Sequence, residues 1–484
     1  HVAGVYDGTT GKARFYLNGT MVHNAWNKTL ENLVAAASRR LTVGQGVTGV
    51  IDDVMLFDAA LEPDAIAGVF ARQHDSYFKT PTELYRVTNL NDAGPGSLRE
   101  GIESQERART IVFEVSGTIA LERGISIQNH NSYLTIAGAT APSPGITIRD
   151  HGMHIRGGTD LLIQHLRFRT GDQRIPPNPT KSQMPGPLGI QPDVRRLVVD
   201  HCSFSWGTDM NLMTGANDAT FSNLITAEAL ATPKHPKGPH SKGFYVLAYK
   251  KGEYGGHRTA IIQNLIAFNA DRAPGISAGT VVCANNYVHA CGKQTSIHID
   301  DHAGARKGYI KASIVANVLD GGSAPIALRS GKNPESKFYL GEDNMRDGEV
   351  IADPWNSSHV TQQHPWPKRA PVPAHKHADA PEQAIWIPGY EAMPASEVKR
   401  YVLARAGARP ADRDAVDERI IRNIRADKGK VIASQDEVGG WPELAENHRR
   451  LRLPDDPYQD DDGDGYTNLE EWLHGFAAEV EGKE

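Results

Sequence analysis

Residues 197–212, LVVDHCSFSWGTDMNL, bring oxygen donors together in a pattern that could do ion chemistry. Leu197, Val199 and His201 alternate with Val198, Asp200 and Cys202, which is the period of a β-strand, and the run opens into Ser-Trp-Gly-Thr before Asp209 and Asn211. An acidic residue at a strand end with two more oxygen donors across the next turn suits a hard cation such as Ca²⁺. Asp200, Asp209 and Asn211 are therefore candidate metal ligands, although a half-buried strand with a polar turn has the same spacing. A second donor-rich stretch is DDDGDGYTNLEE at 460–471. Asp460, Asp462, Asp464, Gly465, Tyr466, Asn468 and Glu471 fall on positions 1, 3, 5, 6, 7, 9 and 12 of a calcium loop. Pro454 and Pro457 stand where a preceding helix would run, so the reading is a stand-alone loop that staples the tail.

Stepping outward to the whole chain, 484 residues exceed one ordinary domain. A net charge of −6 argues against a generally nucleic-acid-binding surface, so an acidic ligand would be held by local cations. The densest such stretch in the main body is KHPKGPHSKG with Lys234, His235, Lys237 and His240, for which a solvated basic loop is the plainer reading. No run of 18 apolar residues is present to cross a membrane as a helix. Three cysteines, Cys202, Cys283 and Cys291, form no C-x-x-C pair and read as small apolar fillers. The chain starts at His1 without Met or signal peptide, so its original N-terminus is expected upstream.

Three units are expected: 1–79, 80–395 and 396–484. In the first, HVAGVYDGTTGKARFYLNG alternates about Asp-Gly and Thr-Gly and predicts a hairpin. In the second, Ser97–Ser104 predicts a short capping helix with Leu98 and Ile102 on one face. After it, short β segments recur with a polar residue in the middle: His165, His201, Asn223, Asn264, Asn285 and Asn317. Their spacings of 36, 22, 41, 21 and 32 read as a rung of about 22 residues with loops inserted in some turns, the mark of a parallel β-helix. Asn side chains stacked on successive rungs can bond one another. A β-sandwich competes, but most junctions lack its hairpin signals. Long side loops fall at 170–195, 230–258 and 293–311, where a solenoid builds its binding face. Residues 331–395 read as an extended segment packed on the coil, and Ser396–Ala406 and Asp412–Asp427 read as helices.

The string VVDHCSFSWGTD resembles the signature of pectate-lyase-like proteins of polysaccharide lyase family 1 and its bacterial relatives, V-D-H followed by S-W-[GS]-T-D. The entry segment LYRVTNLNDAGPGSLREGIES and the tail VLARAGARPADRDAVDERIIRNI are similar to the same proteins, and the resemblance covers roughly 84–330 and 396–475. Gly49–Leu61, GVIDDVMLFDAAL, resembles the ending of a laminin-G-like jelly-roll whose first half is missing. The resemblance implies an all-β chain: a right-handed parallel β-helix with an N-terminal partial jelly-roll and a short helical tail bearing a calcium loop. It implies a lyase that cleaves a pectate-like uronate polymer by calcium-assisted β-elimination, secreted or periplasmic and monomeric, with no nucleic acid or membrane partner.

Such chemistry removes the C5 proton of a uronate, which needs neutralisation of the carboxylate, donors for the enediolate and a base. The resemblance of DRAPG to the family's R-x-P motif implies Arg272 as base; its pKa above 12 favours alkaline conditions. His240 is the alternative base, better suited to neutral pH. The H-x-K-G-x-H-S pattern implies Lys237 as the holder of a uronate, with Lys234 and His235 beside it, and Glu228 is assigned to the rim or to hydrogen-bonding a loop. Asp200, Asp209 and Asn211 match calcium positions or their neighbours, and this reading requires Asp200 and Arg272 to share a groove. The chain departs from the pattern at Met210, where relatives often carry Glu, and at Gly275 or Ser277, where a second Arg is usual. Those departures leave a non-catalytic glycan-binding protein as the second hypothesis. A β-helix glycoside hydrolase ranks below it, because Asp300-Asp301 is the only adjacent carboxylate pair in the late rungs.

Overall fold

The computed structural model describes residues 2–7, 12–17, 20–26, 82–232, 234–247, 255–291, 296–300, 309–321, 326–329, 336–362 and 385–482. The chain divides into two compact units, His1–Pro81 and Thr82–Glu484. In the first, strands Val2–Asp7, Lys12–Leu17 and Thr20–Trp26 form an antiparallel sheet in which Asp7 pairs with Lys12, so the expected hairpin is present. The Gly49–Leu61 segment lies outside the described residues.

The second unit is a parallel β-helix. Its first sheet has ten strands in the spatial order of the chain, from Glu83–Val87 to Lys337–Leu340. A second sheet runs from Gly117–Ala120 to Glu349–Val350, and a third from Ile125–Ile127 to Val360–Gln362. From Arg109 to Arg329 each rung contributes one strand to each sheet, and equivalent strands stack parallel. One inward row of the first sheet reads Ile111, Ile136, Ile163, Val199, Phe221, Ile261, Cys283 and Ile314, all at most 1% exposed. Burial of each such side chain contributes about 1.5–3 kcal/mol. Cys202, Cys283 and Cys291 are free and buried, as fillers should be. Helix α1 (Leu98–Glu103) caps the first rung: Ser97 Oγ accepts from Glu100 N, and Leu98 and Ile102 enter the core.

Successive rungs in the middle of the coil turn from the first sheet into the second at one residue in the left-handed region: His165 (φ 58°), His201 (φ 43°), Asn223 (φ 51°), Gln263 (φ 61°), Asn285 (φ 56°) and Ala316 (φ 50°). Asparagine tolerates that conformation better than most residues. The buried asparagine ladder stands one residue later: Asn264 Nδ2 donates to Asn286 Oδ1 (2.9 Å), Asn286 to Asn317 (2.9 Å) and Asn317 to Asn344 (3.2 Å). The sequence alignment of Asn285 with Asn264 and Asn317 is therefore off by one, because the Asn285-Asn286 pair satisfies both positions.

The outer face of the second sheet is covered by helices α2 (Ala395–Arg405) and α3 (Ala415–Arg425), with Val398, Val402, Ile420, Ile421 and Ile424 against Ile225, Leu265 and Tyr287. At one side of this apolar contact lies a buried ion network. Arg169 donates to Asp414 (2.6 and 2.9 Å) and to Asp417 (2.9 Å), and Ser203 Oγ donates to Asp417 (2.6 Å). Glu228, expected on the rim or hydrogen-bonding a loop, is buried and holds a helix: Arg419 donates to both its oxygens (2.6 and 2.8 Å) and Trp206 Nε1 to one (3.1 Å). Helix α4 (Asn468–Glu481) follows the calcium-loop sequence, with a capping box between Thr467 and Glu470.

Candidate active site on the third sheet

The third sheet aligns the starts of four consecutive rungs. Met210 pairs with Lys242, Tyr245 with Gly275, and Gly275 with His298. Asp209 thus immediately precedes one strand, Lys242 opens the next, Asp271 and Arg272 precede the third, and His298 opens the fourth. Gly243 N donates to Asp271 O (3.0 Å) and Phe244 N to Arg272 O (2.7 Å), which locks Lys242 beside Arg272. A Cβ on Gly243 would stand 2.8 Å from the Arg272 carbonyl oxygen, so only glycine permits this approach.

Lys242 Nζ donates to Asp209 Oδ1 (2.8 Å), and His235 Nε2 (3.7 Å) and Lys181 Nζ (3.9 Å) lie on the same carboxylate. Burial raises the Asp209 pKa, but Lys242, Lys181 and His235 outweigh it and hold the group below its ordinary value. Burial, then the neighbouring Arg272, lowers the pKa of Lys242 against the pull of Asp209. The Arg272 guanidinium lies 3.9 Å from the centre of the Tyr245 ring, and its Nε has no hydrogen-bond partner among the described residues. Beside it, Asp271 Oδ1 is 3.3 Å from His298 Nδ1. Burial opposes ionisation of Asp271, but His298 and then Arg272 bring its pKa down to about 2. His235 and His240 stack at 3.8 Å, and burial followed by His240 lowers the His235 pKa.

Of the residues expected from sequence, Asp209, His235 and His240 form one cluster, which Lys242 joins to Arg272. Lys234 is exposed and reaches Asp172, Nζ to Oδ2 at 3.6 Å. Lys237 is exposed, and its backbone N donates to His235 Nδ1 (3.2 Å).

The metal set of Asp200, Asp209 and Asn211 is not assembled. Asp200 ends a first-sheet strand and accepts from Ser222 Oγ (2.7 Å), Asn223 Nδ2 (3.0 Å) and Gln164 Nε2 (3.2 Å), with His201 Nδ1 at 2.7 Å. Asn211 is buried, accepting from Gly207 N (2.9 Å) and donating to Ala227 O (2.9 Å). Both side chains are spent on holding turns. Asp200 ends a first-sheet strand and Arg272 precedes a third-sheet one, so the contacts of the described residues do not bring the two together. Ca²⁺ takes six to eight oxygen ligands. Asp209 among two lysines and a histidine does not fit it. The residues that sequence reasoning passed over are Lys242, Tyr245, Asp271 and His298; Lys242 closes the same HSKG string that named its neighbours, and only the stacking of rungs singles it out.

The C-terminal loop does fit calcium. Carboxylate oxygens of Asp460, Asp462 and Asp464 lie within 4.8 Å of one another. The loop is wound around them: Gly463 N and Gly465 N donate to Asp460 (2.8 and 3.1 Å), and Tyr466 N to Asp464 (2.8 Å). Slight desolvation and then repulsion from Asp462, Asp464, Asp460 and Asp461 raise the pKa of Glu471, the response of a carboxylate facing that cluster. Asn468 opens α4 and donates to Asp456 O (3.0 Å) and Asp461 Oδ2 (3.0 Å).

Comparison with known proteins follows the same division. Residues 1–67 match the model of the concanavalin A-like lectin/glucanases superfamily. The chain is 27% identical over 419 residues to a protein named probable pectate lyase C from Neosartorya fischeri, covering 81% of this chain and 89% of the relative. It is 28% identical over 421 residues to the Aspergillus fumigatus protein of that name, with the same coverage. Among solved structures, jun a 1, the major allergen from cedar pollen, aligns at 14% identity with a TM-score of 0.45, over 67% of this chain and 88% of that one. Pectate lyase II from Xanthomonas campestris aligns at 14% identity with a TM-score of 0.41, over 70% and 99%. Over 81% of its length the chain is thus similar to proteins named pectate lyase C, and its first 67 residues match the concanavalin A-like model.

Proposed function

We propose that this protein is a polysaccharide lyase that cleaves a pectate-like uronate polymer by β-elimination over the third sheet. The observation that carries this reading is the lock between Lys242 and Arg272, two cations on adjacent rungs with the Arg272 guanidinium laid on Tyr245. Lys242 neutralises the uronate carboxylate and so acidifies C5; Arg272 faces C5, takes the proton in its neutral fraction and then stabilises the enediolate as a cation. Lys181, Lys234, Lys237 and His235 hold neighbouring acidic residues of the chain, and Asp209 and Asp271 fix Lys242 and Arg272. His240 is the second candidate base: its Nδ1 lies 2.7 Å from the Gly238 carbonyl, so the hydrogen sits there and Nε2 keeps a lone pair.

Calcium belongs in this reading to Asp460, Asp462, Asp464, the Tyr466 carbonyl, Asn468 and Glu471, where it staples the tail. No step in the groove is routed through it. None of the described helices is long and apolar enough to cross a membrane, and a protein acting on an external polymer is placed outside the cell. The test is a screen of uronate polymers for the unsaturated product by ultraviolet absorbance, comparing wild type with Arg272→Ala. Reducing ends without that absorbance would indicate hydrolysis, and affinity without either would indicate a binding protein. A rate that climbs steadily into alkaline pH supports Arg272 as base, whereas one that levels near neutrality selects His240.

A further inference from the structure

Away from the groove, the turn between the first and second sheets holds another set of donors. His165 and His201 occupy equivalent left-handed positions on successive rungs, and their rings stack at 5.3 Å with 17° between planes. Glu481, in the last turn of α4, lays its carboxylate over both: Oε1 is 3.6 Å from His165 Nε2 and 3.6 Å from His201 Nδ1. All three side chains are buried. The Ala408 carbonyl lies 2.9 Å from His165 Nδ1 and can only accept, so Nδ1 carries the hydrogen and Nε2 is a lone pair. Burial and the adjacent His201 push the pKa of His165 down to about 3, which keeps that lone pair bare at neutral pH.

A bare nitrogen therefore confronts a carboxylate oxygen in a dry interior, and Nε2 has no hydrogen-bond partner among the described residues. Two electron-rich atoms held so repel unless a proton or a metal cation lies between them. The separations suit one, since donors about 2.0–2.2 Å from a tetrahedral zinc stand about 3.4 Å apart. His165 has an outer partner, since its Nδ1 faces Ala408 O, whereas the Asp200 contact at 2.7 Å falls on His201 Nδ1 itself and gives way when metal binds there.

We propose that His165, His201 and Glu481 form a buried site for a divalent transition-metal ion of the zinc class, fastening the end of α4 to two rungs of the coil. Two imidazole nitrogens favour such an ion over Ca²⁺ or Mg²⁺. Without metal, the His201 Nδ1 hydrogen is shared with Asp200. Binding through that nitrogen gives up the contact with Asp200 and shifts the ring hydrogen to Nε2, so a neutral His201 coordinates with no net release of a proton.

The test uses the full chain stripped with a chelator and then dialysed against zinc, with bound metal measured by mass spectrometry. Glu481→Gln and His165→Gln, checked for folding by circular dichroism, each hold one equivalent less than wild type. Asp464→Asn and His240→Gln hold the wild-type amount. Zinc raises the Tm of wild type, and Co²⁺ gives it the visible bands of a four-coordinate site. The proposal is overturned if stripped wild type takes up no zinc, if folded Glu481→Gln and His165→Gln bind as much as wild type, or if His240→Gln is the variant that loses the equivalent. Should the two site variants fail to fold, the cobalt spectrum of wild type decides the matter, and its absence overturns the proposal.

Discussion

Replacing Lys242 with methionine keeps the length of the side chain and removes one charge from the site. A uronate carboxylate taking up a contact about 4 Å from the ammonium gains about 4 kcal/mol at an effective dielectric constant of 20. The loss is compounded because Asp209, now 2.8 Å from Lys242 Nζ, would face the substrate uncompensated. Lys181 at 3.9 Å and His235 at 3.7 Å offset part of that exposure. We therefore expect kcat/KM to fall by roughly 100- to 1,000-fold, since each 1.36 kcal/mol is tenfold. Adding Asp209→Asn to Lys242→Met removes the repulsive partner and should recover roughly tenfold. The assay is initial-rate formation of unsaturated product on the best polymer, with folding checked by near-ultraviolet circular dichroism. A single variant within about fivefold of wild type, or a double variant no better than the single, would refute the assignment of Lys242 to the substrate carboxylate.

Arg272→Lys should lower the rate at every pH and move its rise toward lower pH, because a lysine ammonium gives up its proton more readily than a guanidinium; rate profiles over alkaline pH measure this. Asp271 has a folded-state pKa of about 2, below its ordinary 3.8, so it stabilises the fold above about pH 4 and that contribution is lost as pH falls toward 2. Asp271→Asn should be less stable than wild type by about 2 kcal/mol at neutral pH and equal to it near pH 2, a convergence visible in urea midpoints. Arg169→Met leaves Asp414 and Asp417 buried without their main partner and should cost about 3–5 kcal/mol in urea unfolding. Asp460→Asn with Asp464→Asn should abolish Tb³⁺ luminescence sensitised by Tyr466 and the calcium-dependent rise in Tm, while kcat on the polymer is unchanged.

The coil was legible because its signal is periodic: spacings near 22 residues and a recurring polar residue report a rung whatever the loops do. The same signal could not resolve Asn285 from Asn286, since adjacent asparagines satisfy the ladder and the turn alike. The site was legible only in part. Arg272, Asp209, His235 and His240 lie in marked strings, but Lys242 becomes central only when three rungs are stacked and its strand start meets that of Arg272. Asp200 misled for a related reason. A carboxylate at a strand end reads as a ligand in one dimension, yet its partners Ser222, Asn223 and Gln164 arrive from neighbouring rungs and use it to clamp a turn. Nothing near Glu228 in sequence points to its partner, Arg419, because that residue lies 191 residues away.

The bridge from Arg169 to Asp414 and Asp417 spans 245 and 248 residues, so it bears on how the polypeptide is made. During synthesis the middle rungs emerge well before α3, and until then the guanidiniums of Arg169 and of its neighbour Arg167, which also faces Asp414 (3.7 Å), sit on a hydrophobic face without these acids. A nascent coil of this kind stays sticky and electrostatically incomplete until its final hundred or so residues wrap back over it. Premature release from the ribosome would therefore yield aggregates in place of a shorter working enzyme.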